Sequence, residues 1–235
     1  MSSRSDIVDG KDAFCAKSGL VYSEVLGWVD LGHAKGEDII KLLYKMDVGE
    51  HQPKERYTLT YSQSMYKSSK SYFGAGAHIR WQIKRGRTLE QRYSIVLAMM
   101  MITAVNFEAM QDSVPFSWVT DSGFSAEDLV SDLLGFYRVV RPMDYFHSLQ
   151  LVSQQEALKR WDFYGPVGNY KNKLFRPLLF PDPAKDRHAM PVYGTLPKFM
   201  MAITPFDEFH TDIVKVITND GAHANLFTPP DPEFE

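Results

Sequence analysis

The sequence predicts an α+β fold, one domain with a mixed or antiparallel sheet packed on a long central helix. Two stretches, residues 56–65 and 77–84, alternate apolar and polar side chains at the period of a half-buried strand. A third, Ala98-Met99-Met100-Met101-Ile102, is apolar on nearly every side of a helix, as a buried central helix requires. With 235 residues, 44% hydrophobic and 13% aromatic, the chain carries enough apolar surface for a substantial core.

Taken in order, the elements begin with an apolar, β-rich run over residues 18–33, bracketed near its end by Gly27 and Gly32. Residues 36–46 place Ile39, Leu43 and Met46 on one face, with Glu37 and Asp38 in the first turn, and predict a short amphipathic helix. The strands at 56–65 and 77–84 pair across a polar segment containing Gly74-Ala75-Gly76, expected to be the hairpin connection. Thr88-Leu89-Glu90-Gln91 is a capping box opening the long helix, which runs to about Gln111.

Ser125-Ala126-Glu127-Asp128 reads as a second capping box, with Asp128 at its third helical position and a helix ending near Gly135 or a turn later. A third helix fits residues 149–161. Prolines 166, 177, 181, 183, 191, 197 and 205 then preclude long helices, leaving loops and short strands, with residues 213–217 as a late buried strand. The domain is expected to span residues 1–226, followed by a flexible tail over 227–235, rich in proline and acidic residues.

Composition excludes several classes. Charge is nearly balanced, 26 basic against 29 acidic side chains, which gives no case for nucleic acid. Cys15 is the single cysteine, so no internal disulfide and no cysteine-based zinc finger can form. The N-terminal residues are polar and no apolar run is long enough to span a bilayer. The expectation is a chain made in the cytoplasm without a cleaved signal. No G-x-S-x-G elbow, phosphate-binding G-x-x-x-x-G-K-[ST], G-x-G-x-x-G or H-E-x-x-H is present.

The chemistry-bearing residues are few. Asp30 and His33 lie three apart in the apolar run, where a buried acid and imidazole are costly unless paired. In a regular strand they face opposite sides, so they converge only if Gly32 permits a turn. A lone histidine in such a run is most often a satisfied core residue. With Asp30 on one ring nitrogen, the other is free as an acid or base. Cys15 is by default an inert small side chain, and its functional reading is a thiolate nucleophile activated by His33. Asp128 and Glu127 are assigned to the helix start, with the alternative of facing His33. A different chemistry would have Asp30, His33 and Asp128, or one of His78 and His210, hold a hydrolytic metal. A non-enzymatic interaction module is the remaining class, favoured if His33 is sealed in the core.

Two segments also carry a family resemblance. Gly19-Leu20-Val21-Tyr22 with Gly27-Trp28-Val29-Asp30-Leu31-Gly32-His33 resembles G-L-[VI]-Y-T-C-x-x-G-F-[IV]-D-[IL]-x-H, a motif of an uncharacterised bacterial envelope-associated family. Residues 124–135 are similar to its second motif, F-S-P-E-D-L-Y-S-N-L-L-G. Together they cover about the first 140 residues. The family's motif cysteine falls at Glu24, and a His-Glu pair expected on the long helix reads Met99-Met100.

Within that neighbourhood the chain resembles antibacterial type VI secretion effectors, regarded as peptidoglycan-directed hydrolases related to papain-like NlpC/P60 cysteine peptidases. The resemblance implies an amidase or endopeptidase acting in the periplasm of target cells. It also implies a secretion apparatus and a cognate immunity protein as partners, and Asp30 and His33 in the active centre. A cysteine mechanism then has Cys15 as nucleophile, His33 as base and Asp30 orienting the imidazole, with no cofactor.

Overall fold

In the computed structural model of the chain, residues 2–66, 74–111 and 125–225 are described. The fold is α+β, with five helices and two sheets among these residues. It packs as two compact units, one from Met1–Glu37 and Asp121–Ala202, the other from Asp38–Thr120 and Ile203–Glu235. Each unit is therefore built from two separate stretches of chain. The expected tail, 227–235, lies outside the described residues.

The first unit holds a four-stranded mixed sheet in the order β1–β2–β5–β6. Its strands are β1 (Leu20–Ser23), β2 (Gly27–Asp30), β5 (Leu178–Leu179) and β6 (Val192–Tyr193). The hairpin from β1 to β2 is tied at its turn by Ser23, whose Oγ accepts from the Val25 and Leu26 amides at 3.1 and 3.0 Å. Parallel pairing of β2 with β5 depends on Gly27. Its φ is +76°, and a Cβ there would stand 2.1 Å from the Leu178 carbonyl oxygen.

Around this sheet lie helices α3 (Asp128–Val140), α4 (Phe146–Leu149) and α5 (Gln154–Tyr164). The core joins Leu20, Tyr22, Trp28, Trp161 and Phe180, with Trp28 edge-on to both Tyr22 and Trp161. The Tyr22 hydroxyl donates to the Phe180 carbonyl at 2.8 Å and accepts from the Phe180 amide at 2.7 Å. Arg160, 2% exposed, lies over the Tyr22 ring, donates to the same carbonyl and pairs with Glu24 at 2.6 Å. A buried guanidinium is tolerable only when matched in this way. Glu24, the position of the family's motif cysteine, thus belongs to a structural ion pair.

The second unit holds an antiparallel sheet, β3–β4–β7, from β3 (Arg56–Tyr66), β4 (Gly74–Lys84) and β7 (Val214–Asn225). The predicted alternation holds, because Tyr57, Leu59, Tyr61, Ile79, Trp81 and Ile83 are all buried. Helix α1 (Glu37–Glu50) falls almost wholly in this unit, and the long helix α2 (Leu89–Gln111) packs on β3 and β4. The capping box of α2 forms reciprocally: the Gln91 amide donates to Thr88 Oγ1 and the Thr88 amide to Gln91 Oε1.

Four local expectations need correction. Gly74–Gly76 belong to β4 rather than to the hairpin connection, and 67–73 lie outside the described residues. The third helix starts at Gln154, capped by Ser153, after the short α4 and a bridge from Leu151 to Ser23. The late strand forms as β7 from Val214, which is buried, but Val216 and Ile217 are 41% and 51% exposed, and among the described residues β7 pairs with β4 alone. Helix α3 starts at Asp128, with Glu127 as its N-cap residue and no side-chain cap bond from it.

Candidate functional site

Strand β2 ends at Asp30, whose Oδ1 accepts from the amides of Gly32 and His33 at 2.6 and 3.1 Å. This is the Asx-type turn that aspartate forms readily, and it starts a 3₁₀ turn over His33–Lys35. Gly36 closes that turn at φ +66°. The turn therefore exists at Gly32, but Asp30 spends its carboxylate on backbone amides. The expected contact between Asp30 and the imidazole is replaced by another.

That contact comes from Asp132 on α3. Its Oδ1 lies 2.8 Å from His33 Nδ1, with the His33 side chain 43% exposed and that of Asp132 11% exposed. Nδ1 donates to the carboxylate, which leaves Nε2 without a protein partner among the described residues. Two features seat the pair. Gly135 and Gly36 let the 3₁₀ turn lie directly on α3, where a Cβ on Gly135 would stand 2.6 Å from the His33 carbonyl oxygen. Ser131 then bridges the elements, accepting from the Asp30 amide at 2.9 Å and donating to the Glu127 carbonyl at 2.6 Å.

The electrostatics are lopsided. Partial burial pushes the His33 pKa down, but the carboxylates of Asp132, Asp128 and Asp30 outweigh it and hold the imidazole well above its ordinary 6.5. Glu127 is 2% exposed, and burial raises its carboxyl pKa, with nearby Asp30 adding to the rise. Its Oε1 accepts from the Ser2 hydroxyl at 3.0 Å, while its Oε2 is buried and, among the described residues, has no hydrogen-bond partner. The centre thus sets an imidazole whose protonated form the acids favour beside a carboxyl whose ionisation burial opposes.

Cys15 is exposed on the surface, just after a 3₁₀ turn at Gly10–Asp12. Its backbone amide donates to the Asp12 carbonyl, and among the described residues its free thiol makes no hydrogen bond to His33. The structure thus brings together His33, Asp132, Asp30, Asp128 and Glu127, and leaves Cys15 apart from the imidazole's bonding. His78 and His210 belong to the other unit. Among the described residues no three His, Cys, Asp or Glu side chains form a group that could hold a metal ion, and Asp30, His33 and Asp128 do not make one.

Asp132 is the residue that sequence reasoning missed. It lies inside the second motif, four residues after Asp128 and therefore on the same helix face, which was the available signal. Comparison of the chain with protein-family models, with curated proteins and with solved structures finds no match. Among the described residues, no helix is long and apolar enough to cross a membrane.

Proposed function

We propose that the chain is a hydrolase of the peptide part of peptidoglycan, with the His33–Asp132 pair as its acid/base centre. The observation that carries the reading is a half-exposed imidazole held at Nδ1 by a carboxylate, with Nε2 free. A histidine sealed in the core would have favoured a purely structural role or an interaction module. The substrate class, and delivery as a type VI secretion effector of the TseH type with a cognate immunity protein, rest on the motif resemblance. So does a papain-like NlpC/P60 relationship.

The step that suits this geometry is direct attack by water. Neutral His33 accepts a proton from water at Nε2 while the oxygen bonds to the scissile carbonyl carbon. The imidazolium, stabilised by Asp132, returns that proton to the leaving amine as the C–N bond breaks. Because the acids raise the His33 pKa, the base form gains as pH rises. Cys15, with no bond to the imidazole, is not needed in this scheme.

Purified peptidoglycan digested with the protein and analysed by mass spectrometry tests the reading directly. New peptide termini that appear with wild type and vanish with His33→Ala support it. Intact muropeptides across pH 6–10 overturn it.

A further inference from the structure

The first unit contains a second feature that the hydrolase reading does not use. A cavity of about 200 Å³ lies between β1, β2, α3 and the segment that includes α4. Its walls are Val21, Val29, Leu31, Leu134, Tyr145 and Leu149. The Tyr145 hydroxyl is turned to the Tyr137 and Arg141 carbonyls, at 2.9 and 2.5 Å, so that its polar end is already occupied. Phe14 and Met143, 74% and 48% exposed, add large apolar side chains open to solvent. An enclosed apolar cavity of about 150 Å³ takes up benzene, so a pocket of about 200 Å³ open on one side has room for a somewhat longer guest.

One charged side chain lines this cavity. Arg138 donates through one terminal nitrogen to the Ala34 carbonyl at 2.8 Å, and among the described residues no carboxylate pairs with it. A guanidinium set in apolar walls without a counter-charge favours an incoming anion, with which it forms two parallel hydrogen bonds. A wholly apolar guest would leave it unmatched, and a cationic one would be repelled.

We propose that the cavity binds a small amphipathic monocarboxylate, with its carboxylate on Arg138. Its apolar chain or ring, of about six to eight carbons, sits among Val21, Val29, Leu134 and Leu149. Charge complementarity selects this occupant over neutral hydrocarbons, and a volume of about 200 Å³ selects a small molecule over a protein segment.

Titration calorimetry on the full chain with octanoate, 1-octanol and octylamine tests this, because the three share a chain and differ in head group. Octanoate should bind saturably, roughly tenfold or more tighter than octanol, with octylamine undetected. Arg138→Gln should reduce octanoate to the level of octanol and leave octanol binding unchanged. Leu134→Phe, checked for an intact melt, should weaken both. The proposal is overturned if wild type shows no saturable octanoate binding, or if Arg138→Gln binds octanoate as tightly as wild type. The readout is binding alone, so its failure is distinct from failure to cut peptidoglycan.

Discussion

The α-carbon of Gly135 faces the carbonyl oxygen of His33 so closely that an added methyl would lie 2.6 Å from it. The same added methyl would lie 3.1 Å from the Gly36 amide nitrogen, so both ends of the imidazole-bearing turn rest on one bare patch of α3. Backbone contact there sets the reach of the His33 ring to Asp132.

Gly135→Ala is expected to lift that turn and separate the ring from the carboxylate. Overpacking against backbone costs about 1–3 kcal/mol of stability. The His33 pKa, followed by NMR of its ring protons, should fall toward 6.5. An alanine variant with unchanged melt and unchanged titration would falsify the seating argument.

Asp132→Asn should remove most of the attraction that holds the proton on His33. The folded-state pKa of His33 is above its unfolded value, so the pair stabilises the protein below about pH 6.5 and loses that contribution as pH rises through the folded pKa. The melting temperature of wild type should therefore decline over that window, and the asparagine variant should decline less. Hydrolysis should drop at least a hundredfold, in line with loss of a positioned base. Equal pH–melt curves for the two proteins would contradict the assignment.

Much of the fold was legible locally. Period-two alternation identified β3 and β4, and Thr88 with Gln91 announced α2 because the cap needs only residues within one turn. Ser153 with Glu156 carried the same kind of signal for α5, hidden by the apolar run that precedes it. The site was half legible. His33 stood out beside a short-range acid, yet its partner is 99 positions away, and Asp30 satisfies its carboxylate on the nearest amides first. Exposure of β7 was equally non-local, since edge position depends on which strands pair.

Glu127→Gln should be tolerated or stabilising, on the order of 1 kcal/mol, because it removes a carboxyl whose ionisation burial opposes. With the folded pKa raised above the unfolded value near 4.3, wild type loses stability as pH climbs from there to the folded pKa. The glutamine variant should not. Denaturant melts at pH 4 and pH 8 measure the difference, and an equal loss in both proteins would count against it.

Cys15→Ser should retain hydrolysis near the wild-type rate, because the exposed thiol makes no bond to the imidazole. Complete loss in a variant that melts normally would restore the cysteine mechanism and require Cys15 to move to His33 during turnover.

Arg160→Met should cost about 1–3 kcal/mol, since it removes buried hydrogen bonds to the Phe180 and Glu156 carbonyls, while Tyr22 still donates to Phe180 and the half-exposed Glu24 is left to water. Glu24→Gln should cost less, because Arg160 keeps its bonds to the Phe180 and Glu156 carbonyls. Urea melts of the two variants decide the order.

The pairing of Gly27 with Leu178 also has a consequence for synthesis on the ribosome. The β1–β2 hairpin emerges about 150 residues before the strand that covers its flank, a wait of roughly ten to thirty seconds at ordinary elongation rates. For most of that interval Tyr22 and Trp28 have neither Phe180 nor Trp161 to shield them. A nascent chain stalled before residue 178 should therefore recruit chaperones through this hairpin. For the same reason, no contiguous fragment that stops short of β5 can be expected to fold the His33-bearing half on its own.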